Sequence, residues 1–337
     1  MAKGSINVDA IKNEVIRYGN AKPTALNPAV LSKEILLNQF AKPLAKVKGQ
    51  WSFPSILMTN LLQAFSDKWT DYGTAQFNNK VAKNYHLKVN FGVNPYDVYG
   101  TWEEELYEED KTPAEMPISK YLVEMIGSKI TSELAAATII SKYDATQVGS
   151  SSPDLRKIMN GIDEVVNGIS TDTVNPGFLI PIDASLANAP GAKVNAFERA
   201  LPQGVAVSQI LVPLELFFDY VEERETPANE VVDYNAAYRK KTKYGRDLIG
   251  VPGLTKMIAW VDGNLFRLYD RKDNPAQIDD VQVQDYVMKI FIQFHLGYDF
   301  AVNQYVFVET SDALKKRGLN DAEQNALYYP NELTLTV

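Results

Sequence analysis

The chain holds two imidazoles, His86 and His295. Each lies in a stretch whose apolar and polar residues alternate as in a strand, and neither has a second imidazole at a metal-ligand or catalytic-triad spacing. Both therefore read as polar residues on a strand face. With no cysteine, disulfides, thiolate nucleophiles and cysteine-based zinc or iron-sulfur sites are excluded. Gly245-Arg-Asp-Leu-Ile-Gly250 has the glycine spacing of a phosphate loop, but Val251 and Pro252 stand where a lysine and a hydroxyl residue must reach phosphate and Mg²⁺. No Gly-x-Ser-x-Gly elbow or His-Glu-x-x-His motif offers a serine hydrolase or a zincin a starting point. The densest carboxylates are Glu103, Glu104, Glu105, Glu108, Glu109 and Asp110. They could supply an acid and base pair or oxygen ligands for Ca²⁺. They lack the alternating ligands and the glycine of a calcium loop, and their mutual repulsion suits a solvated face. Asp270-Arg-Lys-Asp-Asn274 reads as a turn. The expectation is no catalytic residue, no cofactor and no metal, hence not an enzyme.

Composition narrows the classes further. A chain of 337 residues with 45% hydrophobic and 23% charged residues is an ordinary globular protein with material for two lobes. No apolar run approaches the ~20 residues that span a bilayer, and the first residues lack the apolar core of a signal peptide. The protein is expected to stay where it is made. A net charge of -8 argues against bulk nucleic-acid binding, which needs cations to displace counterions from phosphates. Residues 1–60 hold eight Lys/Arg against three Asp/Glu, so a basic front precedes an acidic body. Four tryptophans and eighteen tyrosines could stack sugars or bases, but without a positive groove they suit core packing and subunit contacts better.

The elements needed to hold these residues follow from periodicity. Val8, Ile11, Val15 and Tyr18 form a narrow helical stripe, and Pro28 opens a second short helix that Pro43 stops. From Trp51 to Trp102 the pattern is strands and turns. Pro117 opens a long helix, about 40 Å, carrying Tyr121, Leu122, Met125, Ile126, Ile130, Leu134, Ala137 and Ile140. Pro153 opens another with Leu155, Ile158, Met159, Ile162, Val165, Val166 and Ile169. Residues 170–205 read as irregular with short strands such as Phe178–Ile180, and Pro213 starts a third helix whose acidic end, Glu222 and Glu223, opposes its dipole. Asp262 to Val308 reads as nearly unbroken sheet. Asp262-Gly263 is the expected two-residue hairpin between Lys256–Val261 and Asn264–Tyr269, and residues 286–296 alternate for eleven positions, a strand of roughly 36 Å. The order predicts an α+β fold rather than βαβ alternation.

Several strings within this order resemble the major capsid proteins of tailed bacteriophages, whose fold is shared with the herpesvirus capsid floor and with encapsulins. Gly73 to Val98, with Asn84-Tyr-His-Leu-Lys-Val-Asn-Phe-Gly92, is similar to that family's extended loop across a neighbouring subunit. Lys111-Thr-Pro-Ala-Glu-Met-Pro-Ile-Ser-Lys-Tyr121 resembles the lead-in to its spine helix, and Ser152 to Ile169 the start of its axial lobe. Asp247 to Val308, with Phe300-Ala-Val-Asn-Gln-Tyr-Val-Phe307, resembles the return into its peripheral sheet. The resemblance implies an N-terminal arm (1–50), an extended hairpin loop with its base strands (51–105), a peripheral domain with spine helix and long strands (106–148 and 272–310), a mixed α/β axial domain (149–271) and a C-terminal segment (311–337). It further implies self-assembly through hexamers and pentamers into an icosahedral shell. That shell encloses double-stranded DNA without sequence-specific binding, with portal, scaffolding and optional decoration proteins as partners and no membrane. The place is the virion capsid, assembled in the host bacterial cytoplasm. Candidate subunit contacts are Lys42, Lys46, Lys48, Trp69, Tyr72, Tyr85, Glu104 and Glu108, the basic arm pairing with Glu103–Asp110 of another copy. The alternatives are an encapsulin-like nanocompartment shell and, from another class, a carbohydrate-acting enzyme or binding module built on the acidic stretch.

Overall fold

A computed structural model describes residues 15, 35–58, 63–71, 73, 75–94, 97, 98, 102, 103, 118–225, 238–271, 277–285, 287–312, 314–320, 322–330 and 332. After a 3-10 turn at Leu36–Gln39 come β1 (Lys42–Leu44), β2 (Gln50–Met58), β3 (Ala75–Lys83) and β4 (Tyr85–Val93). Helices α1 (Ile118–Ile140) and α2 (Ile162–Thr171), strand β5 (Phe178–Pro181), helix α3 (Pro190–Arg199), strand β6 (Gln209–Pro213) and helix α4 (Leu214–Glu225) follow. The remainder is β7 (Arg239–Lys241), β8 (Asp247–Val251), β9 (Ile258–Trp260), β10 (Leu265–Tyr269), β11 (Gln277–Gln284), β12 (Val287–Phe300), β13 (Val306–Thr310) and α5 (Ala322–Tyr328).

The long alternating segment becomes β12, whose 14 residues run ~46 Å at ~3.3 Å each. It pairs antiparallel with β10 and β11 along one edge and with β4 along the other, while β1 adds to β10 in parallel. Met288, Ile290, Ile292, Phe294, Leu296, Tyr298 and Phe300 all point inward and are buried. They meet Leu122, Val123, Ile126, Ile130 and Leu134 of α1 in one core. A 23-residue helix is ~35 Å long at ~1.5 Å per residue, so α1 can cover about three quarters of the length of β12. Tyr286 and the expected helices before residue 35, Val15 apart, lie outside the described residues.

The second sheet has the order β5-β13-β9-β6-β8-β7. Leu179, Leu211, Ile249 and Trp260 face the first core, whereas Phe178, Ile210, Val212, Leu248 and Phe307 face a second core with Val194 and Phe197 of α3 and Phe217 and Tyr220 of α4. Burial on both faces is why these strands read as short apolar runs without alternation.

Several expectations need correction. The turn at Asp262-Gly263 exists, closed by Asn264 N–H on the Val261 carbonyl at 3.0 Å, but it does not make a hairpin. Gly263 has φ +83°, and Asp262 is not among the positive-φ residues, so the primed geometry that keeps strands paired is absent. The flanking strands diverge, β9 into one sheet and β10 into the other. The two-residue hairpin lies instead between β11 and β12, where Gln284 pairs with Val287 and Asp285 takes φ +52°. Sheet membership follows: β10 belongs with β12, and β13 with β5 and β9, so neither respects the expected boundary at 271/272.

The helix expected from Pro153 starts later. Asp154 caps a short 3-10 turn at Leu155–Lys157, and Gly161 then rests on the end of α1, its N–H donating to the Ser141 carbonyl at 2.7 Å. A Cβ there would lie 2.4 Å from the Ile139 carbonyl oxygen. Only after this contact does α2 begin. Helix α3, in a region read as irregular, was hidden by its Pro and Gly content; Pro190 sits in its first turn, where a missing N–H costs nothing. Glu223 explains the acidic end of α4: its carboxylate accepts the Gly191 N–H at 2.6 Å. It thereby serves the N-terminus of α3, where negative charge is favoured. The rejected phosphate-loop string is the turn and strand β8, and Gly250 lies against Phe217, whose ring a Cβ would meet at 2.7 Å.

Candidate assembly surface

Strands β2 and β3 pair antiparallel over nine residues each, from Gln50↔Lys83 to Met58↔Ala75. At ~3.4 Å per residue this is a ribbon of ~30 Å, and it makes no backbone pairing with either larger sheet. Side chains of a strand alternate between faces. One face of the ribbon turns toward its own subunit: Ala82 is buried and Phe53 packs on Phe266 with ring centroids 5.0 Å apart. Lys80 Nζ meets Asp299 Oδ1 at 2.5 Å, and Asn78 Nδ2 donates to the Tyr328 hydroxyl at 3.3 Å. The other face carries Ser52, Pro54, Ile56, Met58, Phe77, Asn79 and Val81, all exposed. Ile56 and Phe77 stand directly opposite each other, 57% and 75% exposed, and Met58 is 57% exposed. Beyond the strands, Phe65 and Trp69 are 93% and 87% exposed. Scattered apolar residues are normal on a surface; Ile56, Met58 and Phe77 instead share one face of the ribbon, the arrangement that suits a covered surface.

The root of the ribbon is held tightly. Asn84 joins β3 to β4, and its buried side chain accepts the Gly49 N–H at 2.6 Å and donates to the Val47 carbonyl at 2.7 Å. Gly297 of β12 lies against it, so close that a Cβ would come within 2.8 Å of the Asn84 Cα. The string Asn84–Gly92 is therefore not the projecting part. As β4 it pairs with β12 from Tyr85↔Leu296 to Val93↔Met288, and the ribbon outside the larger sheets is β2 with β3.

The expected contact residues fall in different places. Lys42, on edge strand β1, Lys46 and Lys48 are exposed, and Trp69 is at the ribbon tip. Tyr85 is half-buried against Tyr143 of its own chain, ring centroids 4.8 Å apart. Burial, with the nearby charge of Asp299 second, pushes its hydroxyl up to about 12. Tyr72, Glu104 and Glu108 lie outside the described residues, and Glu103 is exposed.

One cluster escaped the reading of the sequence. The register of β4 on β12 sets His86 opposite His295, their rings parallel within 2° and 4.3 Å apart. Asp270 Oδ2 accepts from His295 Nδ1 at 3.2 Å, and Gln293 Oε1 from His86 Nε2 at 3.2 Å. Two hundred residues of separation left no sequence signal for this meeting. Among the described residues no group of three or more His, Asp or Glu side chains could hold a metal ion, and no helix is long and apolar enough to cross a membrane.

No family profile matches the sequence, and neither does any curated protein. Solved structures do match. A chain of the satellite phage P4 procapsid, a structure that includes the size-determination protein Sid, superposes with a TM-score of 0.51 at 11% identity, covering 86% of this chain and 98% of that one. The capsid asymmetric unit of cyanophage A-1(L) gives 0.52 at 10% identity, covering 85% and 92%. The chain has the fold of phage major capsid proteins. Within this capsid fold, the two cores and their sheets form the body, and the β2–β3 ribbon is the element whose outward face the body leaves uncovered.

Proposed function

We propose that the chain is the major capsid protein of a tailed bacteriophage, a shell protein that self-assembles through hexamers and pentamers around double-stranded DNA and catalyses no reaction. The observation that carries this reading is the uncovered apolar face of the ribbon on a capsid fold. A two-stranded ribbon is marginal in water by itself, and a face bearing Ile56, Met58 and Phe77 gains by being covered. A neighbouring copy supplies the cover. Each contact of standard size, about 1,600 Å², can be only micromolar and still hold in a closed lattice, because every subunit is gripped several times. Modest contacts also let misplaced subunits leave.

The net charge of -8 disfavours adhesion to enclosed DNA. The exposed Lys42, Lys46 and Lys48 are suited to the acidic stretch Glu103–Asp110 of another copy. The same reading makes portal, scaffolding and optional decoration proteins its partners, with assembly in the bacterial cytoplasm and the virion as destination. The test is expression of the full chain with its neighbouring genes, followed by light scattering and negative-stain microscopy. Closed shells that protect DNA from nuclease are expected. A compact monomer under every condition refutes assembly, and shells filled with a co-purifying enzyme would instead indicate a nanocompartment.

A further inference from the structure

The stacked imidazoles occupy a sensitive place. His86 is two residues from Asn84, which holds the ribbon root, and Lys48 lies between the two backbone groups that the Asn84 side chain grips. In the neutral state each ring has one N–H, and each N–H has an acceptor: Asp270 for His295, Gln293 for His86. Asp270 also accepts the His295 backbone N–H, at 3.4 Å. Both N–H groups are satisfied, and the rings stack without charge.

We propose that the His86–His295 pair is a proton-sensitive clasp that fastens β4 to β12 at the ribbon root when neutral and loosens it when both rings are protonated. Two imidazolium ions with centroids 4.3 Å apart repel at a distance where charges of like sign strongly oppose a second proton. The surroundings offer little relief. Lys88 stands opposite Gln293 on the same face, and Lys48 adds positive charge near His295. Asp270 can balance one imidazolium. Asp279 of β11 is already engaged by the Gln293 N–H at 2.8 Å and by Arg271 at 3.7 Å.

Burial holds His295 below the ordinary histidine range; Asp270 pulls it up, and His86 and Lys48 push it down. Its folded state thus binds the proton less readily than the unfolded chain. The contribution to stability is whole above about 6.5, the usual histidine value, and is lost as pH falls through the folded-state value. Loosening β4 frees the strand from which the ribbon springs. If the ribbon docks on a neighbour, acidification also weakens docking; that consequence rests on the assembly reading, whereas the clasp itself is measured on unassembled protein.

With two histidines in the chain, selective ¹³C labelling of histidine in the full-length unassembled subunit gives two ring signals. Expected are two midpoints separated by more than about one pH unit. His86→Gln should move the remaining midpoint up and Asp270→Asn should move it down. Hydrogen-exchange protection of Tyr85–Val93 should fall at least about tenfold from pH 7.5 to 5 in the wild type and less than about threefold in His86→Gln. Two independent midpoints that ignore removal of the partner ring would overturn the proposal. So would a β4 protection profile identical in the wild type and the variant. The wild-type titration decides the coupling by itself if a variant fails to fold.

Discussion

Replacing Ile56 and Phe77 together by serine should separate folding from assembly. Fully burying an Ile or Phe side chain is worth about 1.5–3 kcal/mol. With 57% and 75% of these residues exposed in the subunit, covering the remainder is worth about 1–2 kcal/mol for each side chain. The pair thus contributes about 3 kcal/mol per ribbon contact, roughly a hundredfold in its equilibrium constant. Because these side chains are 57% and 75% exposed in the subunit, the part already covered is worth only about 1–2 kcal/mol for the pair, and urea unfolding should lose no more than that. The assay is the protein concentration at which shells or capsomers first appear by light scattering, with circular dichroism on the same samples. The concentration should rise by about two orders of magnitude while the spectrum stays unchanged. Assembly at the wild-type concentration would refute the role given to this face. A large loss of subunit stability would show that it is covered by its own chain.

Four further outcomes follow from the geometry. Gly161→Ala places a methyl 2.4 Å from the Ile139 carbonyl oxygen. Because that neighbour is backbone, thermal unfolding should show a loss of about 3 kcal/mol or more, the upper end for overpacking. Glu198→Gln removes the charge from a buried carboxylate that accepts Arg246 and Thr242, each at 2.8 Å. The amide oxygen can still accept both bonds and Arg246 keeps partial access to solvent, so losing the charge should cost about 1–3 kcal/mol in urea denaturation. The hydroxyl of Tyr85, raised to about 12, loses its proton first in the unfolded chain, so stability should fall as pH climbs from 10 to 12; Tyr85→Phe should lessen that fall in pH-dependent melting curves. Reversing Lys42, Lys46 and Lys48 to glutamate should raise the assembly threshold and reduce its response to added salt, since these exposed charges are screened within about 8–10 Å. Unchanged assembly and salt response would exclude the pairing with the acidic stretch.

Patterns with short range were legible in the chain. The alternation of Met288 to Leu296 announced β12 with its buried face, and the three-and-four spacing of Leu122, Ile126, Ile130 and Leu134 announced α1, because periodicity and burial are two sides of one local geometry. The missing cysteines likewise removed thiolate and disulfide chemistry before any coordinates. Other features depended on what lies across space. Asp262-Gly263 has hairpin composition, yet its dihedral angles send β9 and β10 into different sheets. Gly161 delays α2 because of a carbonyl on another helix, and Glu223 caps a helix other than its own. The expected extended loop with its base strands, 51–105, takes in β2, β3 and β4 together, since all three alternate alike and only pairing partners separate β4 from the ribbon.

The amino-acid order alone determined the types of the longest elements, β12 and α1, and the buried stripe of each, which depend on neighbours within a few residues. Tertiary structure decided which strands share a sheet, which face of the β2–β3 ribbon stays bare, and that His86 meets His295. Those outcomes depend on register between segments up to two hundred residues apart, and a shift of one residue would have turned every one of these side chains to the opposite face.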